Sequence, residues 1–142
     1  MKNLTLNQAN EIASASLAKG RELGLKPLCV AILDAGGQLI TLHREDGASI
    51  LRPAIAVGKA SGALGMGISS REIAEIAAER PGFFASILNL GPQALIPAAG
   101  GVIATDADGQ AVGAVGVTGD TSDNDEICAL AGIVGAGLTT QR

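Results

Sequence analysis

The chain has no tryptophan, no tyrosine and only two phenylalanines, Phe83 and Phe84. It therefore offers almost no platform on which a base could stack. Its ten lysines and arginines are scattered, and the formal net charge is −4, so the electrostatic footprint of a nucleic-acid binder is missing as well. There is one histidine, His43, and there are two cysteines, Cys29 and Cys128, far apart in sequence and without CxxC or metal-ligand spacing. Two buried free thiols are expected from that pattern. No window supplies the roughly 18 uninterrupted apolar residues of a membrane span. The N-terminal run MKNLTLNQANEIAS carries one lysine and no long apolar core, which argues against a secretory signal and for a cytoplasmic protein. A GxxxxGK[ST] loop and a GxSxG elbow are both absent.

What is present is small-residue chemistry. Twenty of the 142 residues are glycine, hydrophobic residues make up 47% and charged residues 17%. That describes one globular domain, residues 1–142, able to bury roughly two thirds of its unfolded surface. A core so short of aromatics must be packed from Ala, Gly, Leu, Ile and Val, which brings backbones close together.

Thr5 and Gln8 form a capping-box pattern ahead of a helix over 6–23. The run 28–33 reads as an apolar strand covered on both faces, turned at Ala35-Gly36-Gly37 into a second strand over 38–44. On that second strand Ile40 and Leu42 share one face, and Leu39, Thr41 and His43 the other. Pro53 opens a helix to about Gly67 whose Gly58, Gly62 and Gly65 make one bare stripe, with Lys59 beside it. Such a stripe accommodates the sheet, a neighbouring helix, a flat cofactor or a symmetry mate. Ser69 and Glu72 cap a helix over 70–79, ended by Pro81-Gly82, and a short helical turn follows over 83–88. Residues 89–99 read as an irregular crossing with a short strand at 94–96.

Two β-branched runs, 102–105 and 110–117, then flank Asp106-Ala107-Asp108-Gly109 as a hairpin. Gly113, Gly116 and Gly119 fall at intervals of three along and beyond its second strand. Their GxxGxxG spacing, on the last predicted strand, is not the GxGxxG of a dinucleotide fold. Asp120, Asp123, Asp125 and Glu126 follow at the start of a final helix capped by Ser122 or Asp123. These carboxylates suit a hard cation, but capping and the helix dipole account for acids at a helix start equally well. His43 is the one imidazole available to a metal or haem iron; alone at a strand end, it also reads as an ordinary half-exposed residue. The order α-β-β-α-α-β-β-β-α, with hairpins joining most strands, gives an α+β fold built on a mainly antiparallel sheet.

Several fragments together resemble one family. The N-terminal LTL helix, Asp34-x-Gly36-Gly37, Arg44-x-Asp46-Gly47-Ala48, Lys59-Ala60, Gly100-Gly101, Gly113-Ala114-Val115-Gly116-Val117-Thr118-Gly119 and Asp125-Glu126 occur in the order seen in GlcG/HbpS-like proteins, the haem-degrading domain family. Here GVTG stands where GVSG is commoner, and Gly62 where a Thr is frequent. The resemblance implies a profilin-like fold, a five-stranded antiparallel sheet flanked by helices, and assembly into homo-oligomers. It also implies a small ligand: some relatives bind haem, and others are encoded beside glycolate, glycerol or propanediol utilisation genes or fused to corrinoid adenosyltransferases.

The expected ligand site is a pocket between the end of the second strand and the last hairpin and helix start, with haem the first candidate ligand. Arg44 and Lys59 pair there with acidic groups on the ligand and Thr118 contributes its hydroxyl. Asp46, Gly119, Asp120, Asp125 and Glu126 complete the set, the helix start adding backbone donors. An alternative is an enzyme or accessory protein for a small hydroxy acid, aldehyde or diol, with Asp46, Asp120 or Asp125 in acid–base roles and Arg44 holding a carboxylate. A third is a structural oligomer whose glycine stripes serve only its subunit seams.

Overall fold

A computed structural model describes residues 2–141. The chain runs α1 (Leu6–Glu22), β1 (Cys29–Asp34), β2 (Leu39–Arg44), α2 (Arg52–Met66), α3 (Ser70–Glu79), α4 (Pro81–Ile87), β3 (Gly101–Thr105), β4 (Ala111–Thr118), α5 (Ser122–Gly135) and β5 (Thr139–Thr140). The strands form one antiparallel sheet in the order β2-β1-β4-β3-β5. The α+β, five-stranded expectation holds.

Local chemistry explains most boundaries. Thr5 Oγ1 accepts from the Gln8 N–H at 3.1 Å and Gln8 Oε1 accepts from the Thr5 N–H at 3.0 Å, closing the capping box. Asp106 Oδ1 accepts from the N–H groups of Asp108 and Gln110, and Gly109 takes φ +78°, which shapes the β3–β4 turn. The last helix is capped one residue earlier than expected: Thr121 accepts from the Asn124 N–H at 3.3 Å, and Ser122 is already helical. Pro81 ends α3 and also starts α4, where its missing N–H costs nothing.

The sheet has a helical layer on each face. On one, α1 and α5 cover Val30, Ile32, Val115 and Val117 over a core that includes Ile12, Cys128 and Ile133. Each such aliphatic side chain, fully buried, contributes about 1.5–3 kcal/mol. Glycine sets how closely the two helices approach, because a Cβ on Gly132 would collide with Ser16 Oγ. On the other face lies α2, over Cys29, Ala31, Leu33 and Ala114.

Two expectations need correction. Residues 94–96 form no strand; Leu95 and Ile96 instead sit against Gly62 and Gly58, filling most of the bare stripe of α2, and the fifth strand is the short β5. The faces of β2 also differ from simple alternation. A bulge between Ile32 and Leu33 brings Leu39 opposite Leu33, so Leu39 joins Leu42 on the α2 side while Ile40 packs into the α1 side.

Candidate functional site

The bottom end of the sheet gathers most of the residues singled out from sequence. Cys29 pairs with Arg44 on one side and with Thr118 on the other. Directly paired antiparallel residues point to the same face, so Arg44, Cys29 and Thr118 form a row facing α2. The N-terminal turn of α2 reaches that row. Arg52 donates from Nη1 to Thr118 Oγ1 at 2.8 Å and from Nε to Ser49 Oγ at 3.2 Å.

This arrangement leaves positive charge without a counter-charge. Among the described residues Arg44 has no hydrogen-bond or ion-pair partner, and Arg52 is held by two hydroxyls and by no carboxylate. Thr118 is 1% exposed, so its hydroxyl serves to orient the guanidinium above it. Cys29 lies beneath, fully buried, and burial pushes its thiol up to about 11 despite the opposing pull of Arg44. It is a packing residue and not a nucleophile.

Farther along α2 and the edge strand β2, from Pro53 and Leu42 onward, the two elements enclose an apolar groove of about 480 Å³. Leu39, Leu42, Pro53, Ala54 and Val57 line it, closed at the far end by Pro92 and Gln93. A second, more enclosed apolar cavity of about 320 Å³, bounded by Gly65, Met66, Leu90 and Leu95, shares Ser61, Pro92 and Gln93 with it. Gly65 faces open space here. Both volumes fall within the range of small-molecule sites.

The pocket expected at the β4–α5 corner is closed by the protein itself. A Cβ on Gly116 would collide with the Ala56 carbonyl and one on Gly119, at φ +140°, with the Pro27 carbonyl; Gly113, at the other end of β4 opposite Asp34, is closed by the Leu33 carbonyl. Glycine is there so that α2 and the 27–28 segment can touch β4 and its exit loop.

Lys59 is corrected in the same way. Its ammonium is buried and donates to the Val117 carbonyl at 2.9 Å and to Asp125 Oδ2 at 3.2 Å. Burial holds the Lys59 ammonium below its usual pKa and the Asp125 carboxyl above its own, each partner opposing the shift of the other. The remaining Asp125 oxygen accepts from the Asp120 N–H at 3.0 Å. Lys59 and Asp125 are thus paired with each other inside the protein.

Asp120 is equally committed. Its carboxylate accepts from Asn124 Nδ2 at 2.8 Å and from the N–H groups of Lys26 and Thr121, and these bonds, Asn124 foremost, lower its pKa to about 2. A carboxylate held so acidic makes a poor general base near neutrality. Glu126 and Asp123 are bridged by Arg71 at 3.0 and 2.6 Å. No group of three or more His, Cys, Asp or Glu suited to a metal ion occurs among the described residues.

Arg44 and Asp46 share an open cavity of about 460 Å³ with Arg21, Pro27 and Glu45. Arg21 is tied there to Glu45 Oε2 at 3.1 Å and to the Lys26 carbonyl. His43, paired with Val30, faces the α1 side and lies on the opposite face of the sheet from the groove. Of the eight residues named from sequence, Arg44 and Thr118 lie on either side of Cys29 in the row facing α2. Asp46 borders that row, and the rest hold the β4–α5 corner together.

Arg52 escaped sequence reading. Its signal was weak: an arginine just before the helix-opening Pro53, where the sequence reading had fixed only the helix start. The groove was hidden for a different reason, since the bulge that turns Leu39 inward leaves no trace in the alternation of residues.

No helix of the described chain is long and apolar enough to cross a membrane. Comparison with known proteins adds what geometry alone does not. The family model described as haem degrading protein HbpS-like matches residues 4–134. An uncharacterised 15.0 kDa protein from the dhaT-dhaS intergenic region of Citrobacter freundii is 32% identical over 126 residues, covering 89% of this chain and 87% of its own. The crystal structure of Klebsiella pneumoniae protein ORFY superposes with a TM-score of 0.86 at 26% identity, over 96% of this chain and 92% of that one. PduOC, solved as a complex with haem, gives a TM-score of 0.86 at 22% identity over 99% of both chains, a likeness of fold. With the family model spanning nearly all of it, the chain belongs to the HbpS-like haem-degrading protein family.

Proposed function

We propose that this protein binds a tetrapyrrole of the haem class in the groove between α2 and β2, with the ligand's acidic groups at Arg44 and Arg52. The observation that carries this reading is two arginines without carboxylate hydrogen-bond partners next to an apolar groove along the chain: Arg52 directly precedes Pro53 of its lining, and Arg44 follows Leu42 by two residues on the same face of β2. Guanidinium groups recognise carboxylates through short, charge-assisted hydrogen bonds. The floor of Leu39, Leu42 and Val57 suits a flat hydrocarbon body. Membership of the HbpS-like family and the haem complex of PduOC support the same ligand class.

The fit is good at the ligand's rim and absent at its metal. Arg44 and Arg52 would hold propionate-like groups, whereas the polar side chains along the groove are those of Gln38, Ser61 and Gln93, none of them a strong iron ligand. Haem supplies an iron centre for redox or oxygen chemistry when bound; the residues of this groove bind, orient and shield.

We propose further that the protein works as a cytoplasmic homo-oligomer. Ile50 and Leu51 are 91% and 66% exposed beside the groove, an apolar surface of the kind subunit contacts cover. Two separate free thiols fit a reducing compartment.

A second reading, a small hydroxy acid, aldehyde or diol as ligand, is favoured by the cavity that joins Arg44 to Asp46. Titration of micromolar protein against haemin, followed in the Soret band, tests the first reading, with Ala54→Glu as the control that places a carboxylate in the groove at an exposed helix position. Binding that weakens at least about tenfold in the variant supports the groove. A Soret band unmoved by the parent protein removes the tetrapyrrole reading, and a thermal shift with hydroxy acids alone puts the second in its place.

A further inference from the structure

We infer that the groove recognises its ligand by the two acid groups and the flat apolar body and not through a metal, so that a metal-free dicarboxylate porphyrin binds as tightly as haem. This rests on the tetrapyrrole reading above and makes it more specific.

The inference follows from where the strong ligating side chains lie. The single imidazole, His43, is on the α1 face of the sheet beside Val30, with the full thickness of β2 between it and the groove. Cys29 shares the groove's face but is fully buried under the row of Arg44 and Thr118, packed against Ala31 and Ala56. Cys128 belongs to the core under α1 and α5. There is no tyrosine. Lys59 is bound up with Asp125 and the Val117 carbonyl.

Met66 remains. It borders the second cavity, at the opposite end of α2 from Arg52, a separation of roughly 20 Å at the rise of an α-helix. A macrocycle anchored by its carboxylates at the arginines keeps its metal near Val57, Ser61 and Gln93, well short of that sulfur. What the metal meets there is a hydroxyl, an amide and hydrocarbon, so among the described residues the free energy of binding comes from the arginines and from apolar burial. Both terms are the same with or without iron.

Three probes separate the contributions: haemin, metal-free protoporphyrin, and the dimethyl ester of that porphyrin, each titrated by its own absorbance or emission and checked by thermal shift of the protein. The expected result is that haemin and protoporphyrin bind with affinities within about threefold of each other, while the ester binds at least about tenfold more weakly, as loss of charge-assisted hydrogen bonds requires. Arg52→Ala weakens both free acids part of the way, Arg44→Ala with Arg52→Ala weakens them to the level of the ester, and the ester is unchanged by either. Haemin binding about tenfold or more above protoporphyrin, or an ester that binds as well as the free acid, overturns the inference while leaving tetrapyrrole binding in place. Failure of all three to bind overturns the tetrapyrrole reading itself, and the inference with it.

Discussion

The Lys59 ammonium and the Asp125 carboxylate lie 3.2 Å apart with side chains 3% and 2% exposed, tying the middle of α2 to the first turn of α5. Taking either charge out of water is costly, so the pair is favourable only while both members and their other hydrogen bonds are intact. Replacing Lys59 by Met strands a buried carboxylate and is expected to cost about 3–5 kcal/mol of unfolding free energy, whereas adding Asp125→Leu to it recovers a large part of that loss. Urea denaturation of the two singles and the double, treated as a double-mutant cycle, measures the coupling. Additive losses would show that the two groups do not depend on each other.

Asp120 gives the corner an acid-sensitive clasp. Its pKa is depressed from the ordinary 3.8 to about 2 by bonds from Asn124 Nδ2 and the N–H groups of Lys26 and Thr121. The folded state therefore binds the proton less readily than the unfolded chain. The group's contribution to stability is complete above the unfolded value, and it is lost as pH falls through the window between 3.8 and about 2. Parent protein and Asp120→Asn compared by urea midpoint should differ most above pH 5 and converge toward pH 2. A gap independent of pH would assign the effect to geometry and not to charge.

The glycines divide into those that are filled and those that are not. Gly116 touches the Ala56 backbone, and no side chain can move aside to accept a methyl group there. Gly116→Ala is expected to destabilise by about 1–3 kcal/mol or more, the usual cost of overpacking. Gly65 faces open space within α2, and Gly65→Ala should stabilise by up to about 1 kcal/mol through helix propensity. Thermal melts of the two variants should move in opposite directions, and a shift of the same sign in both would contradict the packing described.

The fold was legible because its signals are local. Thr5 with Gln8, the Asp108-Gly109 turn and the apolar run of β1 each state their element within a few residues, and the order of elements then implies an antiparallel sheet. The site was legible only in part, because its defining relations are between distant residues. That Arg44 and Thr118 flank Cys29 depends on strand register across more than 80 positions. That Lys59 is buried against Asp125 depends on how near α2 comes to β4, which Gly116 permits but does not announce. Leu95 and Ile96 have the apolar look of a strand, yet they pack against Gly62 and Gly58 of α2 instead of pairing in the sheet.

The crowding of α2 against the sheet at Gly116 and Gly101 means that one wall of the groove cannot retreat. The far end of the groove, at Pro92 and Gln93, belongs to an irregular stretch that carries the Leu95-to-Leu88 and Ala98-to-Ile96 backbone bonds. A guest longer than the groove would therefore press on that irregular end, where regular secondary structure gives out, while α2 keeps its place like the fixed jaw of a vice.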